Sequence, residues 1–176
     1  MTPVPKFLDA SIARCTVLTF KEGLLSTVAH DLKIRVLRFS IEVDVERAIV
    51  QARFDPRSLR VDCAMRDGLD NPGALASRDR AEIDRIIQDQ VLHTSRFPEI
   101  ALTSGSFSAS PEGWTVSGKL SLHGVLRPIS ARIARKGNAL ATEVRLHQPD
   151  YGIQPFTALL GTLKIKPDVV VRIETV

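Results

Sequence analysis

Apolar and polar residues alternate with a period of two along most of the chain. This alternation predicts β-strands that bury one face, because successive side chains of a strand point to opposite sides of the sheet. The strands predicted in this way cover residues 13–21, 32–45, 48–54, 100–109, 114–122, 126–135, 140–147, 158–166 and 169–176. They recur about every 10 residues, which is typical of a β-sandwich or a β-barrel.

The apolar positions of the second predicted strand change from even to odd numbers. Leu32, Ile34 and Val36 come first, and Phe39 and Ile41 follow. A shift of one residue turns every later side chain to the other face of the sheet. We therefore expect a bend or bulge near residues 37–38.

Residues 78–93 depart from the strand pattern. Apolar side chains stand there at Ile83, Ile86, Ile87, Val91 and Leu92, with charged residues between them. Spacings of three, four and one define one face of an amphipathic helix. A single helix in an otherwise β chain is well placed to cap a barrel end.

The composition limits the classes of ligand and partner. Aromatic residues make up 5% of the chain, so the apolar interior is mainly aliphatic and offers few faces for a flat cofactor. The net charge of +4 does not indicate nucleic-acid binding. The basic residues lack the interleaved aromatic side chains on which the bases of a single strand stack. No segment approaches the roughly 18 apolar residues of a membrane span. We expect no cofactor, no nucleic-acid partner and no membrane-spanning segment.

Catalytic motifs are missing from the sequence. It contains no nucleophile elbow, P-loop or dinucleotide fingerprint, and Cys15 and Cys63 lack the spacing of a metal site. The histidines His30, His123 and His147 leave a metal-assisted hydrolase as the least favoured alternative, because no metal-ligand motif supports it. The sequence predicts a protein that is not an enzyme.

The segment 150–156 combines the large side chains of Tyr151 and Phe156 with Gly152, Pro155 and the amide of Gln154. It could form the lip through which a ligand enters, with Tyr151 or Gln154 orienting a polar head group. It could equally be a packed loop that plugs the end of the barrel.

Three segments occur in an order that resembles a known family. They are His30-Asp31, the Arg-Phe-Pro-Glu-Ile segment at 96–100, and the Gly-x-Leu-x-Leu-x-Gly-Val strand at 118–125. In this order they resemble the YceI-like family of lipocalin-like barrels, from about residue 12 to the C-terminus. The resemblance implies an extended antiparallel barrel of about eight strands with one or more short capping helices.

The resemblance also implies a function. Such a barrel would hold a long apolar ligand, such as a polyisoprenoid, a quinone or a fatty-acid derivative, and homodimers would be common. The residues expected to contact the ligand are Leu32, Ile34, Phe39, Ile41, Leu120, Leu122, Tyr151 and Phe156. The alternative is a ligand-free scaffold, filled by its own side chains and acting through its surface or a dimer interface.

The resemblance further implies one domain over residues 1–176, of which 1–11 are an N-terminal tail. Members of the family are typically periplasmic. The beginning of this sequence lacks the charged and apolar regions of a signal peptide, so we expect a cytoplasmic location.

Overall fold

The computed structural model describes residues 5–23 and 29–176. Its strands are β1 (Phe7–Asp9), β2 (Ala13–Thr19), β3 (Lys21–Glu22), β4 (Asp31–Val36), β5 (Phe39–Asp44), β6 (Ile49–Phe54), β7 (Leu59–Arg66), β8 (Leu69–Asn71), β9 (Ile100–Ser110), β10 (Gly113–Leu122), β11 (Val125–Lys136), β12 (Ala139–His147), β13 (Thr157–Ala158), β14 (Leu163–Ile165) and β15 (Asp168–Thr175). Helix α1 (Ser77–Ile86) continues into a π-helical turn, Ile87–Val91. The 3₁₀ turns are Pro56–Ser58, Pro72–Ala74, Gln148–Tyr151 and Leu159–Gly161.

One long antiparallel sheet contains most of these strands. Their order across the sheet is β1-β5-β6-β9-β10-β11-β12-β15-β2-β4-β7-β8, and β13, β14 and β3 form a second, small sheet. The mainly β, antiparallel fold class is thereby confirmed. The strands are more numerous than the resemblance implied, because bends divide several long strands into shorter pieces.

A single bent hairpin closes the long sheet. Its two arms, residues 31–44 and 49–66, stay antiparallel from the pair Asp44–Ile49 to the pair Asp31–Met65. In one half of the hairpin β4 pairs with β2, and in the other half β6 pairs with β9. The hairpin therefore belongs to both ends of the strand order, and its bend joins them into a barrel.

The bend lies between β4 and β5, where the sequence predicts it, and Ser58 holds it in place. The Ser58 Oγ accepts a hydrogen bond of 2.9 Å from the Arg38 backbone N–H and donates one of 2.7 Å to the Asp55 carbonyl. The Ser58 carbonyl accepts from the Leu37 N–H at 3.2 Å. These bonds satisfy backbone groups that the ladder cannot pair at a bend.

Helix α1 lies against the same hairpin, as a helix capping the barrel should. The Asp84 Oδ1 accepts a hydrogen bond of 2.7 Å from the Val61 backbone N–H. The Gln88 Nε2 donates to the Pro56 carbonyl at 3.0 Å. The predicted helix is confirmed, and the residues Ile87, Val91 and Leu92 of its apolar face turn toward the barrel interior.

Other sequence predictions differ from the structure. The strand β7 was not predicted, although Leu59, Val61 and Cys63 alternate there and are buried. The predicted strand 158–166 is wrong in its middle, because Leu159 and Leu160 have φ angles of 51° and 56° and form a turn. Residues 7–9, within the segment expected to be a tail, pair with β5 as strand β1.

We expect Ser58→Ala to lower the free energy of unfolding by about 1–3 kcal/mol, because the part-buried Arg38 N–H loses its hydrogen-bond partner and the Asp55 carbonyl keeps only the Ser58 N–H. Ser58 is 2% exposed, so water cannot replace the hydroxyl without a rearrangement. Urea unfolding would measure the change. Ser106→Ala, at an exposed position in β9, serves as the control and should change stability by less than about 0.5 kcal/mol. Equal effects of the two substitutions would contradict this role of Ser58.

Candidate functional site

The barrel encloses an apolar cavity of about 260 Å³. Inward-facing side chains of β2, β4, β5, β6, β7, β9, β10, β11, β12 and β15 line it, together with the end of the helix. Nearly all of them are Leu, Ile, Val or Ala, as the low aromatic content predicts. The alternation that defines each strand places these side chains on the inner face.

The strand residues expected to contact a ligand fall into two groups. Ile34, Ile41, Leu120 and Leu122 line the cavity wall. Leu32 and Phe39 are buried in the surrounding hydrophobic core but lie outside the lining. Leu32 lies on the same face of β4 as Ile34, and Phe39 lies on the same face of β5 as Ile41. Neighbouring side chains nevertheless cover both residues.

The two aromatic residues of the 150s loop lie differently. Tyr151 is buried against Leu120, Leu122 and Ile153 at one end of the barrel. Phe156 is half-buried and outside the cavity lining. The loop is packed as a plug, and Ile153, which the sequence reasoning did not select, is the loop residue whose side chain reaches the cavity.

Several residues that line the cavity were not selected from the sequence as ligand contacts. Examples are Leu102 in β9, Val144 in β12 and Val171 in β15. All three lie on predicted alternating strands, so the period of two contained the signal. Choosing between the two faces of each strand required the tertiary structure.

His123 fastens the end of the barrel where the loop and the helix meet. Its Nδ1 lies 3.3 Å from the Tyr151 carbonyl oxygen, and its Nε2 lies 3.2 Å from His93 Nδ1. A carbonyl only accepts, so Nδ1 carries the proton and Nε2 of the neutral ring accepts from His93. The Phe97 ring packs on His123 with 4.2 Å between the ring centres. One imidazole therefore ties the β10–β11 turn to both closing segments.

Two buried polar groups lie at the cavity. The Thr19 Oγ1 is buried without a hydrogen-bond partner among the described residues. The Gln148 amide is buried as well, but its Nε2 donates to the Lys166 carbonyl at 3.1 Å. Burial also raises the pKa of the Cys15 thiol to about 12, so this cavity-lining thiol stays protonated and unreactive.

Two of the three histidines of the hydrolase alternative, His123 and His147, have other partners. His147 Nδ1 lies 2.6 Å from Asp168 Oδ1, and this contact holds the pKa of Asp168 below its ordinary value. His30 is half-buried ahead of β4. Within residues 5–23 and 29–176, no three His, Cys, Asp or Glu side chains form a group that could hold a metal ion. No described helix is long and apolar enough to cross a membrane.

We expect acid to weaken the closed end of the barrel through His123. Desolvation by burial lowers the pKa of His123 from its ordinary value of 6.5. The hydrogen bond to the Tyr151 carbonyl opposes this shift, and the charges of His93 and Arg96 add to it. The unfolded chain then binds the proton more readily, so the free energy of unfolding falls as the pH drops below about 6.5. Urea unfolding between about pH 7.5 and pH 5.5 would show this loss.

The matched variant for this test is His123→Asn. The residues His123 and Gly124 have φ angles of 52° and 79°, the geometry of a type I′ turn, which Asn-Gly adopts readily. The variant keeps the turn and removes the titrating ring, so its stability should depend less on pH than that of the wild type. An unchanged dependence would show that another group is responsible.

Two solved structures share this architecture. Burkholderia cenocepacia BcnA superposes with a TM-score of 0.59 at 11% sequence identity, over 93% of this chain and 94% of that chain. A polyisoprenoid binding domain from Saccharophagus degradans, implicated in plant cell wall breakdown, gives a TM-score of 0.54 at 13% identity, over 97% of this chain and 99% of that one. At such identities the likeness shows the fold alone.

The sequence itself identifies the family. No curated protein matches the chain. The family model of the YceI-like domain, however, matches residues 16–176, which include the strands and the helix that build the cavity. The resemblance seen in the three sequence segments is confirmed, and the chain belongs to the YceI-like domain family.

Proposed function

We propose that this protein binds one long apolar chain, that of a polyisoprenoid, a quinone or a fatty-acid-like lipid, inside its barrel and without catalysis. The observation that supports this function most strongly is the aliphatic cavity of about 260 Å³. The name of the Saccharophagus degradans domain, which has the same fold, supports the class of ligand.

The energetics favour an occupied cavity. A void of this size costs roughly 6 kcal/mol of stability at about 24 cal/mol per Å³. That cost is comparable with the whole stability of a typical domain, about 5–15 kcal/mol. An apolar ligand removes the cost and gains about 0.8 kcal/mol for each buried methylene. Water is a poor substitute, because an apolar void offers it almost no hydrogen-bond partners.

The dimensions of the cavity also limit the ligand. Its volume lies just below the roughly 300–1,000 Å³ of pockets for drug-sized molecules. A narrow chain uses such a volume better than a broad ring system. The open volume argues against the alternative of a scaffold whose interior is filled by its own side chains.

The Thr19 hydroxyl, which has no hydrogen-bond partner among residues 5–23 and 29–176, adds a polar group to this wall. A ligand with one hydroxyl, carbonyl or carboxyl group near Thr19 would satisfy it, whereas a pure hydrocarbon would leave it unpaired. This atom favours a chain that carries a polar group over one that has none.

We expect the purified protein to carry a lipid. Native mass spectrometry should show a mass above that of the chain, and an organic extract should contain a molecule with a long apolar chain. A folded protein that is empty, and that has no affinity for chains of about C15 to C40, would overturn the proposed function.

A pair of tryptophan variants tests the location of the ligand. Leu102→Trp fills the cavity from β9 and should weaken binding of a fluorescent fatty acid by about tenfold or more. Thr103→Trp places the same side chain on the exposed face of the same strand and should leave binding unchanged. Circular dichroism would confirm that both variants fold. Equal binding by both variants would place the ligand elsewhere.

Two further expectations stay predictions from the sequence, namely the homodimer and the cytoplasmic location. Sedimentation velocity of the purified protein would test the first.

A further inference from the structure

The wall of the barrel is only partly paired between β11 and β12. Ladder pairs join these strands only from Lys136–Ala139 to Ile133–Thr142. The strand β11 nevertheless begins at Val125, and β12 continues to His147. Residues 125–132 therefore pair only with β10, and residues 143–147 only with β15. We call the space between these two segments the lateral gap.

The sequence also prevents a regular ladder from running along the whole of this gap. The two-residue turn His123-Gly124 closes on the pair Leu122–Val125, which is hydrogen-bonded in a hairpin of this type. Alternation then directs the backbone groups of the even-numbered residues of β11 toward β12. One of these residues is Pro128, which has no N–H to donate. A regular ladder cannot extend across the gap at this position.

The narrow end of the lateral gap is stabilised by a side chain instead. The Thr142 Oγ1 donates a hydrogen bond of 2.8 Å to the Arg132 carbonyl. This carbonyl would otherwise face Glu143 in the next hydrogen-bonded pair of the ladder. The hydroxyl satisfies the acceptor and so ends the ladder without leaving the carbonyl unpaired.

The lateral gap leads to the cavity. The residues Ile129 and Ala131 on one side, and Val144 and Leu146 on the other, all line the cavity. All four are only half-buried, whereas the inward residues Val116, Leu120 and Leu122 of the neighbouring β10 are buried. The inner edges of the gap are thus apolar and continuous with the cavity wall.

A weak contact spans the far end of the lateral gap. Arg127 Nη1 donates to the Asp150 carbonyl at 3.4 Å, and Arg127 Nη2 lies 3.8 Å from Asp150 Oδ2. Both side chains are 48% exposed, so the pair contributes little to stability and can open at small cost. We call this pair the latch.

The edges of the lateral gap are poorly suited to adding a strand from another chain. Pro128 removes a donor, and the outward side chains of Arg132, Glu143 and Arg145 are exposed and charged. Prolines and charges are the features by which natural sheet edges avoid such pairing. A flexible apolar chain needs no backbone partners and fits the apolar inner edges.

From these observations we infer that the lateral gap is the passage through which the apolar chain reaches and leaves the cavity. This inference rests on the proposed function. At the end of the barrel fastened by His123, a ligand could enter only if the packed cluster around Tyr151 broke apart. The opposite end is filled by buried side chains such as Leu8, Val43 and Phe107. Widening the gap opens the half-exposed latch and shifts the half-buried Ile129 and Leu146 against the cluster around Tyr151, but it breaks no ladder hydrogen bond.

A reversible cross-link across the lateral gap tests the passage. Ser130→Cys combined with Arg145→Cys places thiols on the outer face of its two edges, and a short bis-methanethiosulfonate joins them. Association and dissociation of a fluorescent fatty acid, followed by stopped flow, should both slow by about tenfold or more, with little change in affinity. Reductant should restore both rates.

The native thiols and a second cysteine pair provide the controls. Cys15 and Cys63 are 3% and 4% exposed, and burial raises the pKa of both, so the reagent should spare them. Ser117→Cys with Ser130→Cys joins β11 to β10, where the two hydroxyl oxygens already lie 3.0 Å apart. This cross-link lies beside the gap without spanning it and should leave the rates unchanged.

The latch gives an independent measurement. Arg127→Met removes both contacts to Asp150 and should speed association and dissociation together. Unchanged rates in the protein cross-linked across the gap, with its mass confirming one intramolecular link, would overturn the passage while leaving the proposed function intact. Absence of any binding by the uncross-linked protein would instead overturn the proposed function, and the passage with it.

Discussion

Ser58 sits where one hairpin turns from one end of the sheet to the other, and the rest of the architecture depends on this turn. Its hydroxyl and carbonyl satisfy backbone groups of Arg38, Leu37 and Asp55 that no ladder can reach. Because β4 then pairs with β2 while β6 pairs with β9, the ends of the sheet meet and the inner faces enclose a volume. The polypeptide bends because these polar groups are paired, and the cavity exists because the polypeptide bends.

The amino-acid composition explains why that volume stays open. Aliphatic side chains on strands are short and stand perpendicular to the sheet, and those that line this barrel leave a volume of about 260 Å³ at its centre. Tyr151 and Phe107 are packed near the two ends, in clusters that close the barrel. An interior of this kind suits a flexible chain, since it is apolar everywhere except near residues such as Thr19 and Gln148.

The closures of the barrel differ in strength. At one end the helix, the β10–β11 turn and the 150s loop are bound to one another through His123 and the side chains around Tyr151. Along the wall, β11 and β12 separate beyond the pair Ile133–Thr142, and a half-exposed ion pair spans the far end of the gap. Local unfolding and opening follow the least stable contacts. Of these two closures, the wall is the one held by fewer contacts.

Much of the fold could be predicted from local sequence, because the alternation of apolar and polar residues indicates the strands directly. The face change near residues 37–38 predicts the bend, and the spacing of Ile83, Ile87 and Val91 predicts the helix. The strand β7 escaped prediction, since Cys63 and Ala64 are both buried and blur the alternation. The turn at Leu159 and Leu160 escaped it as well, because two leucines ordinarily favour regular structure over left-handed φ angles.

The candidate site was predictable only in its chemistry. Composition determines that the interior is aliphatic. The turn at His123-Gly124 and the missing backbone donor of Pro128 follow from the local sequence. Which face of each strand turns inward depends on strands distant in sequence. So does the packing by which Ile34 lines the cavity while Leu32, on the same face of β4, does not. The same holds for the meeting of His93, His123 and Tyr151. A sequence determines periodicity and backbone chemistry because these act between neighbours, whereas enclosure depends on contacts that form only when the sheet closes.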